Sequence, residues 1–213
     1  MKSTLKENLE IYLQPTWFID CDAPEVSGFA GDICTGETTG IGKAIRLFYF
    51  VRDEIYYDPY HIDIRRDAFK ASAILTEQSG FCVPKALLLA ALARAEGLPS
   101  RLGFSNVRNH LLPKRLMQLV KNNIIYFHGY TELFLEGKWV KATPTFNKSL
   151  CAYLDMNPIE FDGRNDAIFQ QYDPAGNRHM QYLHSYGQFA DLPYEELTEV
   201  LKKHYYMLIS KTQ

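Results

Sequence analysis

A chain of 213 residues with 46% hydrophobic and 23% charged residues is long enough for one large domain or two small ones, and can build a sizeable core. Its net charge of −2 offers no electrostatic footprint for nucleic acid or an anionic membrane surface, and no apolar run approaches transmembrane length. The four cysteines, Cys21, Cys34, Cys82 and Cys151, form no CxxC pair, and the first eight residues lack a signal-peptide core, so we expect neither a disulfide framework nor a metal site, and a reducing cytoplasm.

In chain order, residues 9–35 read as short extended pieces such as Leu9 to Leu13, broken by Pro15 and Pro24. From Gly40 to Tyr57, the apolar residues Ile41, Ala44, Ile45, Phe48, Val51 and Ile55 fall near a 3.6 period and predict an amphipathic helix. The stretch Gly36 to Lys43 has the look of a phosphate loop. However, five residues rather than four separate Gly36 from Gly42, and Ala44 stands where Ser or Thr is required, so a glycine-rich helix entry is expected. A loop with Pro59 follows from Tyr57 to Asp67, then a short helix near Ala68 to Leu75. Next comes the longest apolar helix of the chain, which opens around Cys82 and Pro84 and stops at Gly97 and Pro99. Its apolar residues lie on every side, which predicts burial all round.

Beyond it, Ser100 to Val107 reads as a strand and Leu111 to Lys121 as a helix or irregular connection. Ile124 to Leu135 and Lys138 to Phe146 read as two strands joined at Glu136 and Gly137. The last helix is Pro193 to Ile209. With no repeat, linker or low-complexity tract, a single domain over 1–213 is expected, with a motif core at about 40–147 and a C-terminal extension at 148–213.

Two groups carry the chemistry. Cys82 lies at the first turn of its helix, where the macrodipole favours the thiolate and free backbone N–H groups can stabilise an oxyanion. The alternative is a buried structural cysteine, the commoner fate of a thiol. His128 lies on the first strand of the hairpin. With Glu136 and Gly137 as the central turn residues, strand partners sum to 273, so His128 faces Thr145. Thr143 and Asn147 are its diagonal neighbours. Glu132 shares the face but lies about 13 Å along the strand, too far to serve the ring. The pattern implies a Cys82 nucleophile, a His128 acid/base and a neutral orienter, Thr143 or Asn147. The alternative for His128 is a half-buried sheet histidine. Lys85, in the first helical turn, is a surface lysine or a partner for thiolate or substrate, and His110 is an alternative base. Asp162, Asp166 and His179 belong to a solvated loop or to the cleft. Cys21, Cys34 and Cys151 are structural.

Gly80-Phe81-Cys82 with the apolar run to Gly97-Leu98-Pro99-Ser100-Arg101 resembles the cysteine helix of the transglutaminase-like superfamily, and His128-Gly129-Tyr130-Thr131-Glu132 with Trp139-Val140 and Thr143-Pro144-Thr145 resembles its histidine and acid strands. The resemblance implies an α+β, papain-like fold in which a buried helix bearing Cys82 packs on an antiparallel sheet. It also implies thiol-dependent acyl chemistry on a peptide, protein or small amide substrate, with no cofactor. Thr143 stands where the family's acid falls. A neutral residue there leaves three outcomes open: a weaker triad, Asn147 as substitute orienter, or a scaffold kept for binding. An arylamine-type acetyl transfer is a further alternative.

Overall fold

The apolar run behind Cys82 has no polar face to offer water, and it folds as α4 (Cys82–Ala95), in which every residue from Cys82 to Arg94 is buried. The computed structural model describes residues 8–110, 114–169 and 179–210. Around α4 lie α1 (Pro24–Cys34), α2 (Gly40–Glu54) and α3 (Ala71–Glu77). A four-stranded antiparallel sheet also packs on α4, in the order β5 (Lys138–Ala142), β4 (Ile124–Leu135), β3 (Ser100–Asn109), β6 (Met180–Phe189). A parallel pair, β1 (Tyr56–Tyr57) with β2 (Ser79–Gly80), delivers the chain to the start of α4. The remaining helices are α5 (Lys114–Val120), α6 (Lys148–Tyr153) and α7 (Tyr194–His204). The arrangement is α+β, as the sequence predicts.

The glycine-rich entry to α2 is a capped helix start, not a phosphate loop. The Glu37 carboxylate accepts bonds from the Thr39 N–H and hydroxyl, both at 2.8 Å, and the Thr39 hydroxyl caps Gly42 N. A Cβ at position 42 would run into the Glu37 carboxylate, which would have to shift.

Glu136 and Gly137 both have positive φ, 48° and 85°, the signature of a two-residue hairpin whose twist matches its strands. The ladder runs from Leu135↔Lys138 to Thr131↔Ala142, the predicted register. It then stops. The chain at Ala142 turns to pair with Ala167, and Thr143 N donates to Ala167 O at 2.9 Å. β5 is therefore shorter than expected, and His128 has no strand partner at Thr145.

Three further departures have physical causes. Residues 9–35 are not extended: Leu9–Tyr12 forms a 3-10 turn, and Pro24 starts α1, the position where its missing N–H costs nothing. The segment after Pro158 is not all loop: β6 pairs along β3 with two register shifts, which blur the alternation that would mark a strand. Of the expected helix at 111–121, α5 covers Lys114–Val120, and residues 111–113 lie outside the described residues.

Candidate active site

Three local features set the position of Cys82. Gly80 lets β2 turn into the helix against Pro84, where a Cβ would come within 2.7 Å of the proline ring. Phe81 caps the helix with extended backbone and no side-chain bond, leaving the first N–H groups free. Gly129 lets β4 cross the first turn of α4: a Cβ there would sit 3.0 Å from Val83 Cα. Gly129 was not singled out in the sequence, although a glycine inside a strand is itself a sign of close backbone approach.

At the sulfur, the backbone N–H groups of Gly129, Val83 and Cys82 favour the thiolate, but burial outweighs them and pushes the thiol up to about 11. The helix N-terminus favours the thiolate, as expected, but does not by itself make a resting thiolate. The dipole is worth about 0.3–1 kcal/mol at the surface, and desolvation of a thiol only 6% exposed exceeds it.

His128 is 1% exposed, and burial holds its imidazole down at about 3. Its Nε2 has no hydrogen-bond partner among the described residues. On β4, Gly129 and Thr131 face α4, since Thr131 Oγ1 donates to Ala86 O at 2.6 Å. Tyr130 and Glu132 face the other way, Tyr130 over Gly103 and Glu132 bonded to Arg101 Nε at 2.7 Å. By alternation His128 shares their face, and its ring packs 5.0 Å from that of Phe169. The structure thus brings the sulfur to the backbone of Gly129, while the His128 ring lies on the face turned away from α4 against Phe169; both groups rest neutral. Because β5 ends at Ala142, residues 124–130 of β4 have no β5 partner, and at Tyr126 the Tyr205 hydroxyl takes the place of one.

The two candidate orienters differ. Thr143 is fully buried and its Oγ1 has no partner; Thr145 Oγ1 is likewise buried and unpaired. Asn147 is committed elsewhere. Its Nδ2 donates to the carbonyls of Arg52 (2.6 Å), Asp53 (3.1 Å) and Ile55 (2.8 Å), and its Oδ1 accepts from Tyr57 N (2.8 Å). Asn147 is therefore not the orienter of His128. It fixes the end of α2 and the position of Tyr57, a ring beside Cys82 that the sequence reading passed over.

Lys85 is not a surface residue. It is fully buried, and Nζ donates to Arg52 O at 3.0 Å and to Ile55 O. The cation meets the negative end of the α2 dipole. Burial lowers Lys85 to about 7, while Asp53 opposes the shift. A lysine lowered on folding adds stability that is full above its unfolded value, about 10.4, and is lost as pH falls through 7. Unfolded thiols titrate near 8.5, and the buried cysteines are raised, so their contribution runs the other way above that pH. We expect the urea midpoint to rise from pH 7 to about 8.5, and Lys85→Met to abolish that rise. A slope that survives in Lys85→Met would rule out this lysine as its source.

The other candidates are structural or peripheral. Glu132 is bound by Arg101, whose guanidinium stacks 3.9 Å over Trp139. His110 is exposed, its N–H bonded to His179 O, and it does not line the cavity beside Cys82. Asp162 caps its own turn through Arg164 N and Asn165 N, and Asp166 accepts from Lys141 N. Beside the sulfur lies a narrow apolar cavity of about 40 Å³, walled by residues including Phe81, Phe127, Val120, Leu201 and Leu208.

The sequence profile of the transglutaminase-like superfamily matches residues 27–144, more than half the chain and all of the Cys82, His128 and Thr143 positions. No curated protein sequence matches the chain. Among solved structures, a protein from Cytophaga hutchinsonii provisionally assigned as a cysteine protease is similar with a TM-score of 0.52 at 16% identity, over 87% of this chain and 55% of its own. The likeness is one of fold, and the chain spans about half the length of that protein. The periplasmic domain of TgpA from Pseudomonas aeruginosa (TM-score 0.42, 19% identity) is covered over 42% of its length by 57% of this chain. A provisionally assigned protease from Parabacteroides distasonis (TM-score 0.41, 15% identity) is covered over 26% by 60% of this chain.

Proposed function

Because the chain belongs to the transglutaminase-like superfamily, we propose that it performs thiol-dependent acyl chemistry on an amide, as a hydrolase or acyltransferase, with Cys82 as nucleophile and His128 as acid/base. The observation that carries this reading is the convergence of three backbone N–H groups, from Cys82, Val83 and Gly129, on a sulfur at the start of a buried helix. The sulfur attacks the acyl carbon; the sulfur–carbon bond forms as the carbon–nitrogen bond breaks. For the thiol proton to pass to His128 and from there to the leaving amine, the ring has to turn from the face it shares with Tyr130 towards the sulfur. N–H groups at the helix start are suited to hold the oxyanion. Since thiol and imidazole both rest neutral, the proton moves during attack rather than before it. Water or a second amine then takes the acyl group.

The substrate class is a peptide, a protein or a small amide. Among the described residues no helix is long and apolar enough to cross a membrane, and the four free thiols suit a reducing compartment such as the cytoplasm.

A second reading, a binding module that keeps the scaffold, is favoured by the unpaired Nε2 of His128 and by threonine at 143. Intact mass after exposure to acyl and amide probes separates the two. An enzyme gains an acyl adduct on Cys82 that Cys82→Ser lacks and that clears with time; a chain that never acquires the adduct is the binding module.

A further inference from the structure

The cavity beside Cys82 is enclosed by β4, by α5, by α7 and by the segment after α7. Among the described residues none that lines it is charged. Its walls are held in place. The Tyr205 hydroxyl accepts from Tyr126 N at 2.6 Å and donates to Tyr126 O at 3.2 Å. The chain beyond it is tied to Ile62 through Ile62 N to Leu208 O and Ser210 N to Ile62 O, both at 2.9 Å. Most of the lining aliphatic side chains, Val120, Leu201 and Leu208 among them, are less than a tenth exposed, and Ile124 and Ile125 are partly exposed. A cavity needs about 10–15 Å³ to hold one water and two or more polar partners to keep it. Here 40 Å³ is available, and of the three lining tyrosines, Tyr57, Tyr126 and Tyr205, the last has its hydroxyl already engaged by the backbone of Tyr126. Such a space favours a small apolar group over water or an ion.

Resting on the assignment of Cys82 as nucleophile, we propose that this cavity selects the acyl half of the substrate: a short aliphatic acyl group of about four carbons, uncharged, with its carbonyl carbon at Cys82 Sγ. A carboxylate-bearing or amide-bearing chain of the same length would be desolvated here without a partner. Each methylene that enters such a pocket changes a rate by about tenfold or more, so chain length is a sensitive reading of occupancy.

The test uses p-nitrophenyl esters of acetate, butyrate, hexanoate and succinate, each rate divided by that of the same ester with a free small thiol. In every case the sulfur–carbon bond forms, the carbon–oxygen bond breaks, and the thiol proton goes to p-nitrophenolate. Release of p-nitrophenol and intact mass are read together. We expect butyrate to exceed acetate by about tenfold or more and to exceed succinate by more than that. Val120→Phe, which fills the cavity, should erase the butyrate-to-acetate ratio. Leu208→Ala, which enlarges it, should move the optimum towards hexanoate, so the proposal does not depend on one variant folding. Cys82 acylated by butyrate and succinate at equal normalised rates would overturn the cavity assignment and leave the nucleophile standing. A Cys82 inert to every ester and to iodoacetamide would remove the nucleophile, and the proposal with it.

Discussion

Thr143→Asp is expected to raise the rate of Cys82 acylation at pH 7 by about one to three decades. Burial holds His128 at about 3, far below the pH at which a general base works best. An opposite charge within about 4–6 Å moves a titratable group by 1–3 units towards its charged form. The resemblance puts the family's acid at position 143, and among the described residues the buried Thr143 Oγ1 and His128 Nε2 are both without hydrogen-bond partners. The measurement is the pH–rate profile of acylation, with a thermal melt to establish folding. The acid limb of Thr143→Asp should shift upward as the plateau rises. Asn147→Ala should lower stability rather than change that limb, because its amide holds the carbonyls of Arg52, Asp53 and Ile55. A folded Thr143→Asp with an unchanged or slower reaction would show that position 143 does not address the ring, and would favour the binding module.

His128→Ala should lower acylation at pH 7 by about 10²–10⁴-fold, the usual worth of a positioned acid/base, and His110→Ala should not. The same ring sets an acid sensitivity. Its pKa in the folded chain is about 3, against about 6.5 when unfolded, so between those values the unfolded chain binds more protons. The stability it contributes is complete above 6.5 and is lost as pH falls through 3. Carboxylates also titrate in this range, so the test is a difference: urea midpoints of the two proteins compared at pH 7.5, 5.5 and 4. We expect the wild type to fall more steeply than His128→Ala. Parallel curves would mean that the ring is not held neutral by burial.

What was legible in the sequence was whatever depended on short-range pattern. The burial of α4 follows from an apolar run with no polar stripe, and the hairpin register from a two-residue turn whose geometry admits one pairing. What was not legible depended on long-range partners. Nothing near Asn147 in the sequence shows that the carbonyls of residues 52–55 will meet it, and a register extended past Ala142 put it beside His128 instead. Lys85 was hidden for the same reason: its acceptors lie at Arg52 and Ile55, a full helix and a loop away in the chain. At Cys82 the helix dipole is visible in the sequence, whereas the depth of burial that outweighs it is not. Phe169, which packs on His128, lies in a segment whose local pattern is weak, and only the turn of the chain at Ala142 towards Ala167 brings it to the ring.

The strand order β5-β4-β3-β6 also bears on how the chain is made. Synthesis completes α4, β3, β4 and β5 before any of β6 exists. During that interval β3, an interior strand in the finished sheet, is an outer one with a free row of peptide groups along ten residues, Ser100–Asn109. Such a row is a template for another chain. Arg94 shows the same dependence on late arrival: its guanidinium binds Ser100 O and Gln14 O, and its third acceptor, Ala190 O, comes only after β6. A nascent or truncated chain ending before residue 180 should therefore self-associate through β3 and place a demand on chaperones that the finished chain does not.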